Sequence, residues 1–379
     1  FSKLSYCPRK GWLHNTTFTI EQGKLVAIDS GLKENAKEVD GILVPGFINA
    51  HCHLELSYLA SQIGKGGGLP NFIKAVISRR NNMSQEARLH AAQFQNKLME
   101  QNGIVAVLDI ANTTESILAK ENTGINYITA LECFDLTPSN TISRWEEILV
   151  VKEAFDQALL PNFITAHAPY TVTDQLMKKI AAIPSEFFTI HHMESAQEQS
   201  FIDGHQGALF DMFASMGIPV LERKKYSSSV AFINQYMEHK LNKVWVHNTY
   251  ATITDLQQLS ISDNYFCTCP NANLWIEEKL PPLDLWQQAQ LKVVVGTDSM
   301  ASNSKLCIAN ELVTIHQHFE DLPFETITQW ATINGADAIG LSDRLGSFEI
   351  GKTPGFIQLG EVSMERPKYH SGIKITRLA

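Results

Sequence analysis

An α/β fold is predicted: a (β/α)8 barrel of the TIM type, with a small β-sandwich built from both chain ends. Three observations carry it. Short β-branched apolar runs recur eight times between residues 41 and 295, and amphipathic stretches separate them. The polar or histidine-bearing residues follow those runs rather than precede them. The two ends of the chain have a different texture, of short strands and turns. Near-continuous apolar strands alternating with helices imply a parallel sheet covered on both faces, and eight of them fit one barrel.

The elements follow in order. Residues 12–20 and 25–29 read as strands of the first end, joined through Glu21-Gln-Gly-Lys24. The eight core runs are 41–50, 104–110, 126–131, 162–166, 187–190, 243–246, 264–268 and 291–295. Residues 84–101, 142–157 and 197–216 have amphipathic spacing and read as helices between them. Residues 64–74 form a glycine-rich loop running into a helix over 72–80, placed to act as a lid after the first strand. Leu345-Gly-Ser-Phe-Glu-Ile-Gly-Lys352 and residues 355–359 repeat the texture of the first end. Neither end is large enough to stand alone, so pairing them is preferred to two separate capping hairpins. The expected division is 1–45 and 345–379 for the small domain and 46–344 for the barrel.

Composition bounds the partners. The 379 residues hold 31 Lys+Arg against 40 Asp+Glu, a net charge of −9. That balance argues against nucleic acid or an anionic membrane surface. No apolar run approaches the roughly 18 residues of a membrane span, and the first residues show no signal-peptide pattern. Six scattered cysteines form no C-x-x-C pair. Free thiols and a cytoplasmic location are therefore expected.

Chemistry concentrates where the runs end. His51 and His53 flank Cys52, and on a strand positions i and i+2 face the same way. Their imidazoles thus project together at the barrel mouth, as a transition metal requires. His167 ends the fourth run, His191 the fifth, His247 the sixth and Asp298 the eighth. All lie on the face where enzymes of this fold keep their active sites. Glu194 lies three residues past His191, while His192 points the other way and reads as core or as a support behind the site. Arg79 and Arg80 stand at the end of the lid helix, where they could pair with an acidic group of a substrate.

Val44-Pro-Gly-Phe-Ile-Asn-Ala-His-Cys-His-Leu-Glu55, His191-His-Met-Glu194 and Gly296-Thr-Asp-Ser-Met-Ala-Ser-Asn303 resemble the amidohydrolase superfamily, in its chlorohydrolase and deaminase branch. The resemblance implies one divalent metal, zinc or else iron, on His51, His53, His191 and Asp298. It implies Glu194 as proton shuttle, His247 as the group that orients water and His167 as a substrate contact. A carboxylated lysine for a second metal is missing from the third and fourth run ends. Glu55 and Glu132 lie in segments similar to the aminofutalosine deaminases, where they would contact purine or sugar. The implied reaction is hydrolytic loss of ammonia from an adenine-like nucleoside. Loss of chloride or an amine from a triazine, guanine deamination, and an inactive metal-binding scaffold are the alternatives. A small-molecule substrate is the expected partner, and a homodimer is the family-level expectation.

Overall fold

The computed structural model describes residues 1–80, 82–220, 223–237, 242–259 and 264–378. It begins with β1 (Ser2–Cys7), β2 (Gly11–Glu21), β3 (Lys24–Ser30) and β4 (Val39–Pro45). Gln22 (φ 51°) and Gly23 (φ 77°) make the tight turn between β2 and β3. Two left-handed residues match the twist of a two-residue hairpin.

The expected first core run is two strands rather than one. β4 ends at Pro45 and β5 (Phe47–Cys52) begins after Gly46. A Cβ at Gly46 would lie 2.4 Å from Val105 Cγ1 and 2.8 Å from the Pro354 carbonyl, so only glycine fits this crossing. The other core strands are β6 (Ile104–Ala111), β7 (Asn126–Cys133), β8 (Asn162–Ala166), β9 (Phe188–His192), β10 (Lys243–His247), β11 (Asn264–Thr268) and β12 (Val293–Val295). They form two four-stranded sheets, ordered β5-β6-β7-β8 and β12-β11-β10-β9, with every pairing parallel. All eight residues of β6 are buried, as parallel strands covered on both faces must be.

The edges of the two sheets meet. His191 N donates to the His167 carbonyl at 2.9 Å, beside β8 and β9. Thr297 N donates to the His51 carbonyl at 2.9 Å, beside β12 and β5.

The helices Gln85–Gln101 and Thr141–Gln157 lie where the spacing places them. Ser84 Oγ caps the first by accepting from Ala87 N at 3.3 Å. Residues 197–216, expected as one helix, are two: Gln197–Gly204 and Ala208–Ser215. His205 ends the first in the left-handed region (φ 51°), and the chain turns at Gly207 before the second begins.

The chain ends with β13 (Phe356–Gly360) and β14 (Lys374–Arg377). These join the first strands in one six-stranded sheet, ordered β14-β13-β4-β1-β2-β3. This corrects the expected sandwich: the described residues make a single sheet. Its place as a second layer is taken on one face by Phe348, whose ring lies 4.9 Å from Phe18 and 4.8 Å from Phe356. The other face turns Tyr6, Ile42, Val44 and Ile357 into the main core. No described helix is long and apolar enough to cross a membrane.

Candidate active site

The carboxyl ends of the core strands carry the site. His51 is fully buried near the end of β5, and His53 follows it. The segment after β12 comes against them because Gly296 has no side chain. A Cβ there would lie 2.7 Å from His51 Cβ and 2.8 Å from the His51 carbonyl. Asn49 fixes the same approach, accepting from Thr297 N at 3.1 Å and donating to Thr297 Oγ1 at 2.8 Å. Asp298 thereby reaches the histidines.

Four side-chain atoms converge. His53 Nε2 is 3.2 Å from His51 Nε2 and 3.3 Å from His191 Nε2. Asp298 Oδ1 is 3.7 Å from His51 Nε2 and 3.5 Å from His53 Nε2. Burial and then the neighbouring His167 push the His191 imidazole down to about 4, and burial holds His53 well below its ordinary value. Neutral rings present lone pairs. Facing lone pairs at this separation repel unless a cation lies between them. The Nδ1–H of His191 donates to the His167 carbonyl at 2.9 Å, which leaves its Nε2 free to ligate. Burial raises Asp298, but its contacts with His51, His53 and His247 outweigh it and hold the carboxyl below the usual carboxylate range. This donor set fits a divalent cation of intermediate softness. His51, His53 and Asp298 could hold one, and His51, His191 and His247 also converge.

His247 has a second partner. Asn273 Nδ2 donates to its Nδ1 at 3.3 Å, so the ring proton sits on Nε2, 3.6 Å from Glu194 Oε1. Glu194 is 4% exposed, and burial, with the charges of Asp298, Glu198 and Glu277, pushes its carboxyl well above the usual range. Spacing alone did not single out Asn273, Glu198 or Ser302. Ser302 Oγ donates to Asp298 Oδ2 at 2.6 Å, and Glu198 accepts from the backbone before it. His192 is core, as expected, with its Nδ1 on Asn248 Oδ1 at 2.8 Å.

A pocket opens above these groups. The helix Gly68–Arg79 supplies one wall through Leu69, Phe72, Ile73, Val76 and Ile77. Phe134, Leu136 and Phe213 line it too, so most of the surface is apolar. His167, Glu132 and Arg80 line it as expected. His167 Nδ1 is held by Thr171 Oγ1 at 2.8 Å, and Glu132 accepts from Asn112 Nδ2 at 3.2 Å.

Two expected substrate contacts lie elsewhere. Glu55 is 3% exposed and sits behind Arg80, accepting from the backbone of Asn112 and Thr113 at 3.1 Å each. The reason is local: residues Leu54–Leu59 form a 3-10 turn that swings Glu55 away from His53. Arg79 Nη1 turns back to the Ala75 carbonyl at 3.2 Å. Of the two arginines, Arg80 lines the pocket.

Imidazoles and a carboxylate gather at the ends of parallel strands, beside the buried Glu194. The amidohydrolase family model matches residues 42–361, and the chain belongs to that family. It is a hydrolytic enzyme acting on C–N bonds. A 5-methylthioadenosine/S-adenosylhomocysteine deaminase of Saccharophagus degradans is 30% identical over 203 residues, 51% of this chain. The match spans 41% of that relative's length. The crystal structure of Helicobacter pylori aminofutalosine deaminase in complex with methylthio-coformycin superposes with a TM-score of 0.78 at 20% identity, covering 100% of this chain and 99% of that one. An adenosine deaminase from Xanthomonas campestris, solved with bound zinc, gives 0.76 at 21% identity, covering 96% and 85%.

Proposed function

We propose that the chain is a metal-dependent deaminase that hydrolyses the exocyclic amino group of an adenine-like nucleoside, aminofutalosine being the favoured substrate. The observation that carries this is the buried Glu194, 3.6 Å from His247 and beside an imidazole–carboxylate cluster on the floor of an apolar pocket. The names of the relatives support the substrate class.

In this reading His51, His53, His191 and Asp298 hold one zinc ion. Such an ion lowers the pKa of a water from 15.7 toward about 7. Asp298 takes the proton of the attacking water through Oδ1, while Ser302 holds Oδ2 and fixes the carboxylate plane. His247, protonated on Nε2, donates to that water and aims it; with its lone pair on Nδ1 it is not a ligand. Glu194 gives its proton to the ring nitrogen next to the amidine carbon as the water oxygen adds there. Asp298 then protonates the amino group, ammonia leaves, and the new hydroxyl returns a proton to Glu194. Arg80 faces the far end of the pocket and pairs with an acidic substituent.

The two four-stranded sheets are the halves of one closed barrel, residues 46–344, with 1–45 and 345–379 forming the small sheet domain. A cytoplasmic location is part of the reading, supported by six buried cysteines, none of them in a disulfide.

The test is ammonia release by zinc- or iron-loaded protein from aminofutalosine, 5′-methylthioadenosine, adenosine, guanine and an aminotriazine. The adenine nucleosides are expected to lead by at least about 100-fold in kcat/KM. Faster release from guanine or the triazine, or none from any adenine nucleoside, overturns the proposal.

A further inference from the structure

Glu198 lies in the first turn of the helix Gln197–Gly204 and is completely buried. Its Oε1 accepts from Glu194 N at 2.7 Å and its Oε2 from Met193 N at 3.0 Å. Glu198 N in turn donates to the Ser195 carbonyl at 3.2 Å, which closes a small ring around the turn. The turn needs such support. β9 ends at His192, and Met193 takes a left-handed conformation (φ 46°) that a side chain of its kind disfavours. Among the described residues no Lys or Arg forms an ion pair with Glu198. A buried carboxyl without a cation is costly, and a helix start needs no such group, since a serine or threonine at the cap serves it. The amides that Glu198 binds belong to the residue that carries the proton and to the one before it.

We propose that Glu198 is a positioning residue for the reaction: both its oxygens clamp the backbone of Met193 and Glu194 and so fix where the Glu194 carboxyl stands. The inference rests on the reading of Glu194 as the proton shuttle. Without the clamp, Met193 is free to relax and Glu194 swings off the line between His247 and the substrate ring. Binding to the rest of the pocket is unaffected, so the loss falls on kcat.

Two readouts on the metal-loaded full chain test this. The first needs no substrate: hydrogen–deuterium exchange of the segment 191–198. In Glu198→Gln the amides of Met193 and Glu194 are expected to exchange at least about tenfold faster, with metal content unchanged. Unchanged exchange overturns the clamp. Glu198→Asp, too short to span both amides, is expected to fall between the two. The second is a double-mutant cycle on the nucleoside with the highest turnover. Glu198→Gln is expected to lower kcat about 100-fold with KM within about threefold, and to cost less than about twofold more when added to Glu194→Gln. A full additional loss in the Glu194→Gln background shows that Glu198 acts elsewhere and overturns the proposal. Turnover surviving in Glu194→Gln alone overturns the shuttle reading instead, while the exchange result still decides the clamp.

Discussion

His247 (φ 71°), Asp298 (φ 55°) and Met193 (φ 46°) all hold left-handed backbones at strand ends, and each lies in or beside the proposed chemistry. Such conformations cost about 1–3 kcal/mol apiece and persist where the surroundings over-determine them. Here the surroundings are visible: Asn49 and His51 hold the Asp298 segment, and Glu198 holds Met193. Most of the clustered residues were legible, because a histidine or aspartate at the end of an apolar run lies near the carboxyl end of its strand. Asn273 was not, since it comes from the helix Pro270–Ile276 and meets His247 only through the fold. Away from the site, His316 offers a pH test. Its Nδ1 accepts from Tyr369 N at 2.9 Å and its Nε2 donates to the Leu322 carbonyl at 3.0 Å, so the fold requires the neutral ring. Burial accordingly lowers its pKa from 6.5. A depressed folded value means that its stabilisation is complete above the unfolded pKa and is lost as pH falls below it. The urea midpoint of the wild type is therefore expected to fall more between pH 7 and pH 5 than that of His316→Gln, which can accept and donate at any pH. Equal falls would show that the ring does not titrate with folding.

The helix Gly68–Arg79 is the element that walls one side of the pocket. It follows a loop with glycines at 64, 66, 67 and 68, and its apolar residues form a wall of the pocket. Its first turn is held from across the site: Glu277 Oε1 accepts from Leu69 N at 2.8 Å, and Tyr250 Oη donates to Glu277 Oε2 at 3.1 Å. The sequence marks this segment as a lid but does not say which arginine faces inward, because that depends on helix phase and on where the 3-10 turn sends Glu55. Separate substitutions resolve it. Arg80→Ala is expected to raise KM about tenfold for a carboxylate-bearing nucleoside and little for a neutral one, and Arg79→Ala to stay within about twofold for both. Steady-state kinetics on the two substrates measure it, and equal effects of the two variants would contradict the placement.

At the scale of the molecule, the alternation of apolar runs and helices reports the parallel core well, because strands buried on both faces leave an unmistakable composition. The chain ends were harder to read. Their strands pair across more than 300 residues, as where β4 lies antiparallel to β13, with Val44 opposite Ile357. Local sequence shows texture but not partners, so a sandwich was expected where one curled sheet is found. The crossing at Gly46 was hidden for the same reason, since its constraint comes from Val105 and Pro354. What these pieces build is a set of strand ends that gathers His51, His53, His191 and Asp298 from far-apart segments into one cluster. The account rests on that cluster binding one catalytic ion. The most direct measurement is the metal content of the chain purified without chelator and then loaded with zinc. About one ion per chain, lost together with activity when His51 is changed to Ala, is the expected result. A content near two, or none retained, would contradict it.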